Sequence, residues 1–146
     1  MFRPVNRLWS LSLVAALLLA AATAEAADPT SLSIRLVLAR KTDKPDIPGS
    51  LSDVAGDIRR LGYNAATVMS SASLDAGMEN THRIAIESGF SVSVAVKPAE
   101  EGKVPVVVAW EKGGKQNKVN ARVREPFISG GGAYKDGTLL LILKAR

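Results

Sequence analysis

Thr138-Leu139-Leu140-Leu141-Ile142-Leu143-Lys144 carries apolar side chains at odd and even positions alike. A strand with that pattern is apolar on both faces, so it must lie between neighbouring strands with a layer covering each side. It is expected to be the central strand of the fold. Just upstream, Asp136-Gly137 is a two-residue turn signal. It is read as laying Tyr134 against Leu139, and Gly130-Gly131-Gly132 against Leu143, Ile142 and Leu141. Three glycines bring no side chains to that contact. They either admit another backbone or an aromatic ring, or mark a bulge.

Two more hairpins precede this one. Gly113-Gly114 sets Lys112 opposite Lys115, and continuing outward pairs Val108 with Val119, Val106 with Ala121 and Val104 with Val123. The earlier connection, Glu87-Ser88-Gly89, is read as a three-residue turn that pairs Ile86 with Phe90, Ile84 with Val92 and His82 with Val94. In both, apolar side chains fall opposite apolar side chains, and that match selects the register.

Further back, Leu32, Ile34, Leu36 and Leu38 alternate with Ser33, Arg35, Val37 and Ala39 as in a half-buried strand. Arg40 to Gly49 is charged and proline-bearing, an exposed loop. Ser50 three residues before Asp53 has the capping-box arrangement, and Leu51, Val54, Ala55, Ile58 and Leu61 form one apolar helical stripe ended by Gly62. Tyr63 to Ser71 reads as a second, weaker strand, and Ser70 to Asn80 as a loop. Strand, helix and strand of these lengths suggest a right-handed crossover with parallel strands. The expected fold class is α+β: one helix packed on a mostly antiparallel sheet or small β-sandwich, starting with a βαβ unit. An all-β sandwich with an incidental helix is the alternative.

The N-terminal region has a different character. Arg3 and Arg7 precede an apolar run from Leu8 to Ala22, followed by Ala24-Glu25-Ala26. This is the order of a secretory signal, and the run is shorter than the roughly 20 residues of a membrane span. Residues 1–26 are expected to be a cleaved signal peptide and 27–146 a single domain, exported by a Sec-type route to the periplasm or outside the cell. No transmembrane span is expected after cleavage. Removal of the leader takes the net charge from +5 to +4. The chain has no cysteine, which excludes disulfides, thiol nucleophiles and thiolate metal sites, so the core alone must hold the domain together.

The closing segment Ile128-Ser129-Gly130-Gly131-Gly132, followed by Asp136-Gly137-Thr138-Leu139-Leu140-Leu141-Ile142, resembles the glycine-rich hairpins of small exported bacterial β-rich proteins of uncharacterised function. More distantly, it is similar to the C-terminal strands of secretins. The strand-helix-strand start resembles the periplasmic ring-forming modules of secretion machinery, although those carry a second helix and no second amphipathic stripe occurs here. The resemblance implies an exported, β-rich protein and assigns no binding residue.

Reactive constellations are missing from the sequence. His82 is the single histidine, no serine stands in a G-x-S-x-G elbow, and the glycine run leads to a strand without the Lys-Ser/Thr of a phosphate loop. Asp53 and Asp57 read as a solvated helix face, and Glu100-Glu101 as a polar turn before Gly102. No enzymatic activity, metal or cofactor is expected. The feature that stands out is basic: Lys112, Lys115, Lys118, Arg122 and Arg124 gather on one hairpin, and alternation places Lys118, Arg122 and Arg124 on one face.

Lys115, Lys118, Arg122 and Arg124 are the candidate binding stripe, for another envelope or secreted protein with an acidic patch or for an anionic polymer. The plainer reading is an edge strand whose charges block aggregation. Nucleic acid is disfavoured, because no aromatics are interleaved for stacking. The expected function is a non-catalytic exported interaction or accessory module of the cell envelope. Its alternatives are a small exported enzyme inhibitor or enzyme, and a carrier of a small apolar ligand.

Overall fold

The leucine-rich segment forms β8 (Gly137–Ala145), an interior strand flanked by β1 (Ser31–Arg40) and β7 (Phe127–Tyr134). These coordinates are a computed structural model that describes residues 27–146; the expected signal peptide lies outside the described residues. β2 (Ala65–Asp75) completes a four-stranded sheet of order β2-β1-β8-β7. A second four-stranded sheet has the order β3-β4-β5-β6, from β3 (Asn80–Glu87), β4 (Phe90–Val96), β5 (Val104–Lys112) and β6 (Lys115–Val123). Every strand pair within the two sheets is antiparallel.

Alternation then builds the core. Leu32, Ile34, Leu36 and Leu38 of β1 and Leu139, Leu141 and Leu143 of β8 face Val92, Val94, Val106, Val108 and Trp110 of the second sheet. On the opposite face of the first sheet, Val37, Ala39, Leu140 and Ile142 meet Leu51, Val54 and Ile58. These last three belong to the connection from β1 to β2, which lies over the outside of the sheet. β8 is therefore covered on both sides, as its sequence demands.

The α+β assignment with a leading βαβ unit is overturned. Among the described residues the fold is a β-sandwich of eight strands, and the helix, α1 (Ala55–Arg60), has six residues beside a single 3-10 turn at Gly49–Leu51. β1 and β2 are antiparallel neighbours, with Arg40 directly opposite Ala65. The Asn64 N–H donates to the Arg40 carbonyl at 3.0 Å, so the long connection leaves and re-enters the sheet at one point. It is a hairpin with a helical excursion. The strand-helix-strand pattern is common to both topologies, and only strand pairing distinguishes them.

The expected capping box also fails. Val54 is the N-cap residue and no side chain caps the helix. Asp53 is drawn instead to Arg35, which holds it through two hydrogen bonds of 3.0 and 2.8 Å and also donates to the Ser50 carbonyl at 3.1 Å. Lys144 adds a contact of 3.6 Å to the same carboxylate. Arg35 occupies the outer face of β1 between Ile34 and Leu36, so this pair clamps the excursion to the sheet. Gly62, at φ 99°, still provides the left-handed residue after α1. Leu61 drops out of the apolar stripe and is exposed.

The Arg35 hydrogen bonds hold the Asp53 carboxyl below its ordinary pKa, against an opposing effect of partial desolvation. A depressed carboxylate pKa stabilises the fold above the unfolded value, and that contribution is lost as pH falls through the folded one. Asp53→Asn is expected to cost about 1 kcal/mol at neutral pH. The difference from wild type should shrink below about pH 4 as both carboxyl forms protonate. Urea unfolding at neutral and acidic pH checks this, and an undiminished difference in acid would refute it.

Hairpin registers agree with the apolar matching in the middle of the chain and depart from it at two turns. Val104, Val106, Val108 and Lys112 have the expected partners Val123, Ala121, Val119 and Lys115. Ile84–Val92 and His82–Val94 also pair as read, but Glu87 takes the place opposite Phe90 and leaves Ile86 in a bulge. In the last hairpin Tyr134 pairs with Gly137, and Gly130 and Gly132 pair with Leu140 and Leu139. The turn is thus Lys135-Asp136, with Lys135 at φ 51°. Gly131 forms a bulge that restores the leucine alternation. Ser70 to Asp75, read as loop, continues β2 because it pairs with Ser31 to Leu36 of β1.

Candidate functional site

The two sheets are finished differently on their outsides. The β1–β2 excursion covers the first sheet, whereas no helix or strand among the described residues overlies the second. That bare face is built row by row from the registers. Arg83, Ser93, Ala109 and Lys118 stand in one row across β3, β4, β5 and β6, and Thr81, Ala95, Val107 and Asn120 in the next.

The two middle strands contribute short side chains and the two edge strands long polar ones. Three strand spacings separate β3 from β6, roughly 14 Å. The result is a shallow trough with a floor of Ser, Ala, Val and Pro between polar walls. One end of it is a groove of about 420 Å³, lined by Thr81, Ala95, Lys97, Pro105, Val107, Asn120 and Arg122 among others.

Each floor residue has a local reason for its position. On β4, Phe90, Val92, Val94 and Val96 point into the sandwich, which turns Ser91, Ser93 and Ala95 outward. On β5, inward Val104, Val106, Val108 and Trp110 likewise expose Pro105, Val107, Ala109 and Glu111. Arg83 reaches along the sheet and donates to the Ser91 hydroxyl at 3.3 Å.

The four residues expected as a binding stripe are not equivalent in the fold. Lys118 and Arg122 share the outer face of β6, opposite Ala109 and Pro105. Lys115 pairs with Lys112 at the hairpin end, a row that belongs to the inward-facing set with Val119 and Ala121. Arg124 lies past the end of β6, its guanidinium against Gly102 in the turn after Glu101.

Electrostatic surroundings separate them further. Arg122 sits 3.8 Å from the Glu100 carboxylate and 3.5 Å from that of Glu101. Among the described residues, neither Lys118 nor Arg83 has a carboxylate within 4.0 Å. Lys112 serves packing: its ammonium is 4.9 Å from the Phe90 ring centroid and donates to the Ala133 carbonyl at 3.0 Å.

Arg83 and the serine-alanine floor were missed in reading the sequence for charge on a single hairpin. The period-two alternation of β4 and β5 carries the signal, since their outward positions hold no large apolar residue. His82 belongs to an inward row beside Val94. Among the described residues no group of three or more His, Cys, Asp or Glu is arranged to hold a metal ion, and no helix is long and apolar enough to cross a membrane. No family model, curated protein or solved structure matches the chain.

Proposed function

We propose that the chain is a non-catalytic interaction module of the cell envelope, periplasmic or secreted, that takes an acidic partner on the outer face of its second sheet. The observation that carries this reading is the row Arg83–Ser93–Ala109–Lys118: two cations facing each other across a floor of small side chains, neither neutralised by a neighbouring carboxylate among the described residues. Cations left unpaired beside a trough attract a negatively charged partner, and small floor residues let it approach the sheet closely. The leader-like order of residues 1–26 supports the exported setting.

Lys118→Glu combined with Arg122→Glu tests the proposal. Both side chains are exposed and the contacts of Arg122 to Glu100 and Glu101 are surface ion pairs, so the variant should stay folded with a loss of stability of about 1 kcal/mol. Retention on a sulfated matrix should fall, with elution at clearly lower salt than wild type. Unchanged retention by the folded variant would overturn the assignment of this face.

A further inference from the structure

Four strands form the edges of the sandwich: β2 and β7 in the first sheet, β3 and β6 in the second. An edge strand exposes unpaired main-chain groups, and bulges are a common way of making such an edge unusable. β2 bulges at Met69, β3 at Ile86 and β7 at Gly131, each inserting one residue that breaks the ladder. β6 pairs with β5 over nine consecutive residues with no shift. It contains no proline, and Lys115 to Asn120 are all exposed.

The side from which β6 can be approached follows from one hydrogen bond. The Lys97 N–H donates to the Pro105 carbonyl at 3.0 Å, so the main chain of Pro105 is turned toward β4. Pro105 and Arg122 are therefore a non-hydrogen-bonded pair, and the N–H and C=O of Arg122 point away from β5 to the free edge. The period of two extends this to Asn120, Lys118 and Gln116. None of these groups has another main-chain partner among the described residues. Their side chains are the ones on the outer face, so main-chain donors and cationic side chains are presented together.

We propose that the β6 edge binds an extended acidic segment of a partner protein as an added strand. Main-chain hydrogen bonds to Gln116, Lys118, Asn120 and Arg122 would supply the affinity, as in other strand additions. Charge complementarity selects the occupant: an acidic residue would stand opposite Lys118, which no carboxylate among the described residues neutralises, a second one four positions away would displace Glu100 and Glu101 from Arg122, and an apolar residue between them would face Val119, which is 40% exposed. The same charges disfavour a second copy of this strand, whose own side chains include no acid. The proposal rests on the binding role given above to Lys118 and the outer face of the second sheet, and adds the class of partner and its conformation.

The probe is a short synthetic peptide of alternating threonine and valine with glutamates four apart, added to the isotope-labelled protein. Amide exchange at Gln116, Lys118, Asn120 and Arg122 should slow by about tenfold or more. The same peptide N-methylated along the pairing edge should bind at least about tenfold more weakly and protect none of the four. Equal binding by the N-methylated peptide would overturn strand addition. So would stronger binding of soluble dextran sulfate without amide protection, which would assign the stripe to a polymer.

Protection of the four amides in free protein, rising with its concentration, would give the edge to a second copy and also overturn the proposal. Loss of sulfated-matrix retention in Lys118→Glu with Arg122→Glu, alongside any of these results, would leave the binding face standing and remove only the added strand.

Discussion

Ile142→Ala is expected to destabilise the protein as much as Leu141→Ala, by about 2 to 5 kcal/mol each. Leu141 and Ile142 are neighbours on β8 that point to opposite faces, and both are fully buried. Leu141 belongs to the core between the sheets, Ile142 to the cluster under the β1–β2 excursion. In a plain two-layer sandwich the outward residue would meet water, and its truncation would cost a few tenths of a kcal/mol. Here Ile142 is packed among Leu51, Val54 and Ile58, whose short segment cannot collapse freely because Arg35 and Asp53 pin it. The cavity should therefore persist and its full cost be felt. Chemical denaturation of the two variants decides the matter: a loss under about 1 kcal/mol for Ile142→Ala would show that the excursion is a loose flap and not a third layer.

This same feature marks the limit of what the sequence discloses. The doubly apolar run Leu139 to Leu143 requires cover on both sides, and Leu51, Val54 and Ile58 at helical spacing supply it, so the layers were legible. Whether the second strand returned parallel or antiparallel was not. Amphipathic spacing reports which face of a segment is buried, while strand direction depends on Asn64 closing back onto Arg40, a contact with no local signature. The capping box failed for a related reason. Ser50 and Asp53 have the right spacing, but a bidentate guanidinium from β1 outcompetes a single backbone amide for the carboxylate.

The candidate site was legible strand by strand and not as a whole. Alternation along β6 already separated Lys118 and Arg122 from Val119 and Ala121. The partner wall at Arg83 needed the order of the sheet, because three strands must be placed before it stands opposite Lys118. The bulges that blunt the other edges were hidden too. A bulge at Ile86 or Met69 leaves no mark in composition; it is the extra residue left once both strands have satisfied their apolar pairings. At Gly131 the triple glycine offered a bulge as one of two readings, the other being the close approach of an aromatic ring, and both occur there.

Gly131→Ala should be strongly disruptive, and Gly130→Ala, one residue away, nearly silent. A methyl group at Gly131 would land on the six-membered ring of Trp110, within 2.6 Å of its Cε3 and closer still to Cζ3 and Cη2. The ring has little room to retreat. Its Nε1 donates to the Ser129 hydroxyl at 2.9 Å, and Phe90 packs against it at 6.3 Å between centroids, itself held edge-on by Tyr134 at 6.0 Å. Moving the indole would break a buried hydrogen bond and open the aromatic cluster; moving β7 would pull the bulge off β8. Either adjustment puts the cost at the top of the overpacking range, about 3 kcal/mol. At Gly130 the same methyl meets nothing within 4 Å, and the change should stay within about 0.5 kcal/mol of wild type. Denaturant unfolding followed by Trp110 emission compares the two. Combining Gly131→Ala with Trp110→Leu should cost less than the sum of the single changes, because the smaller side chain vacates the space that the methyl invades. Equal stabilities for the Gly130 and Gly131 variants, or strict additivity in the double variant, would mean that the closing hairpin is not locked by the indole lying on its glycine bulge.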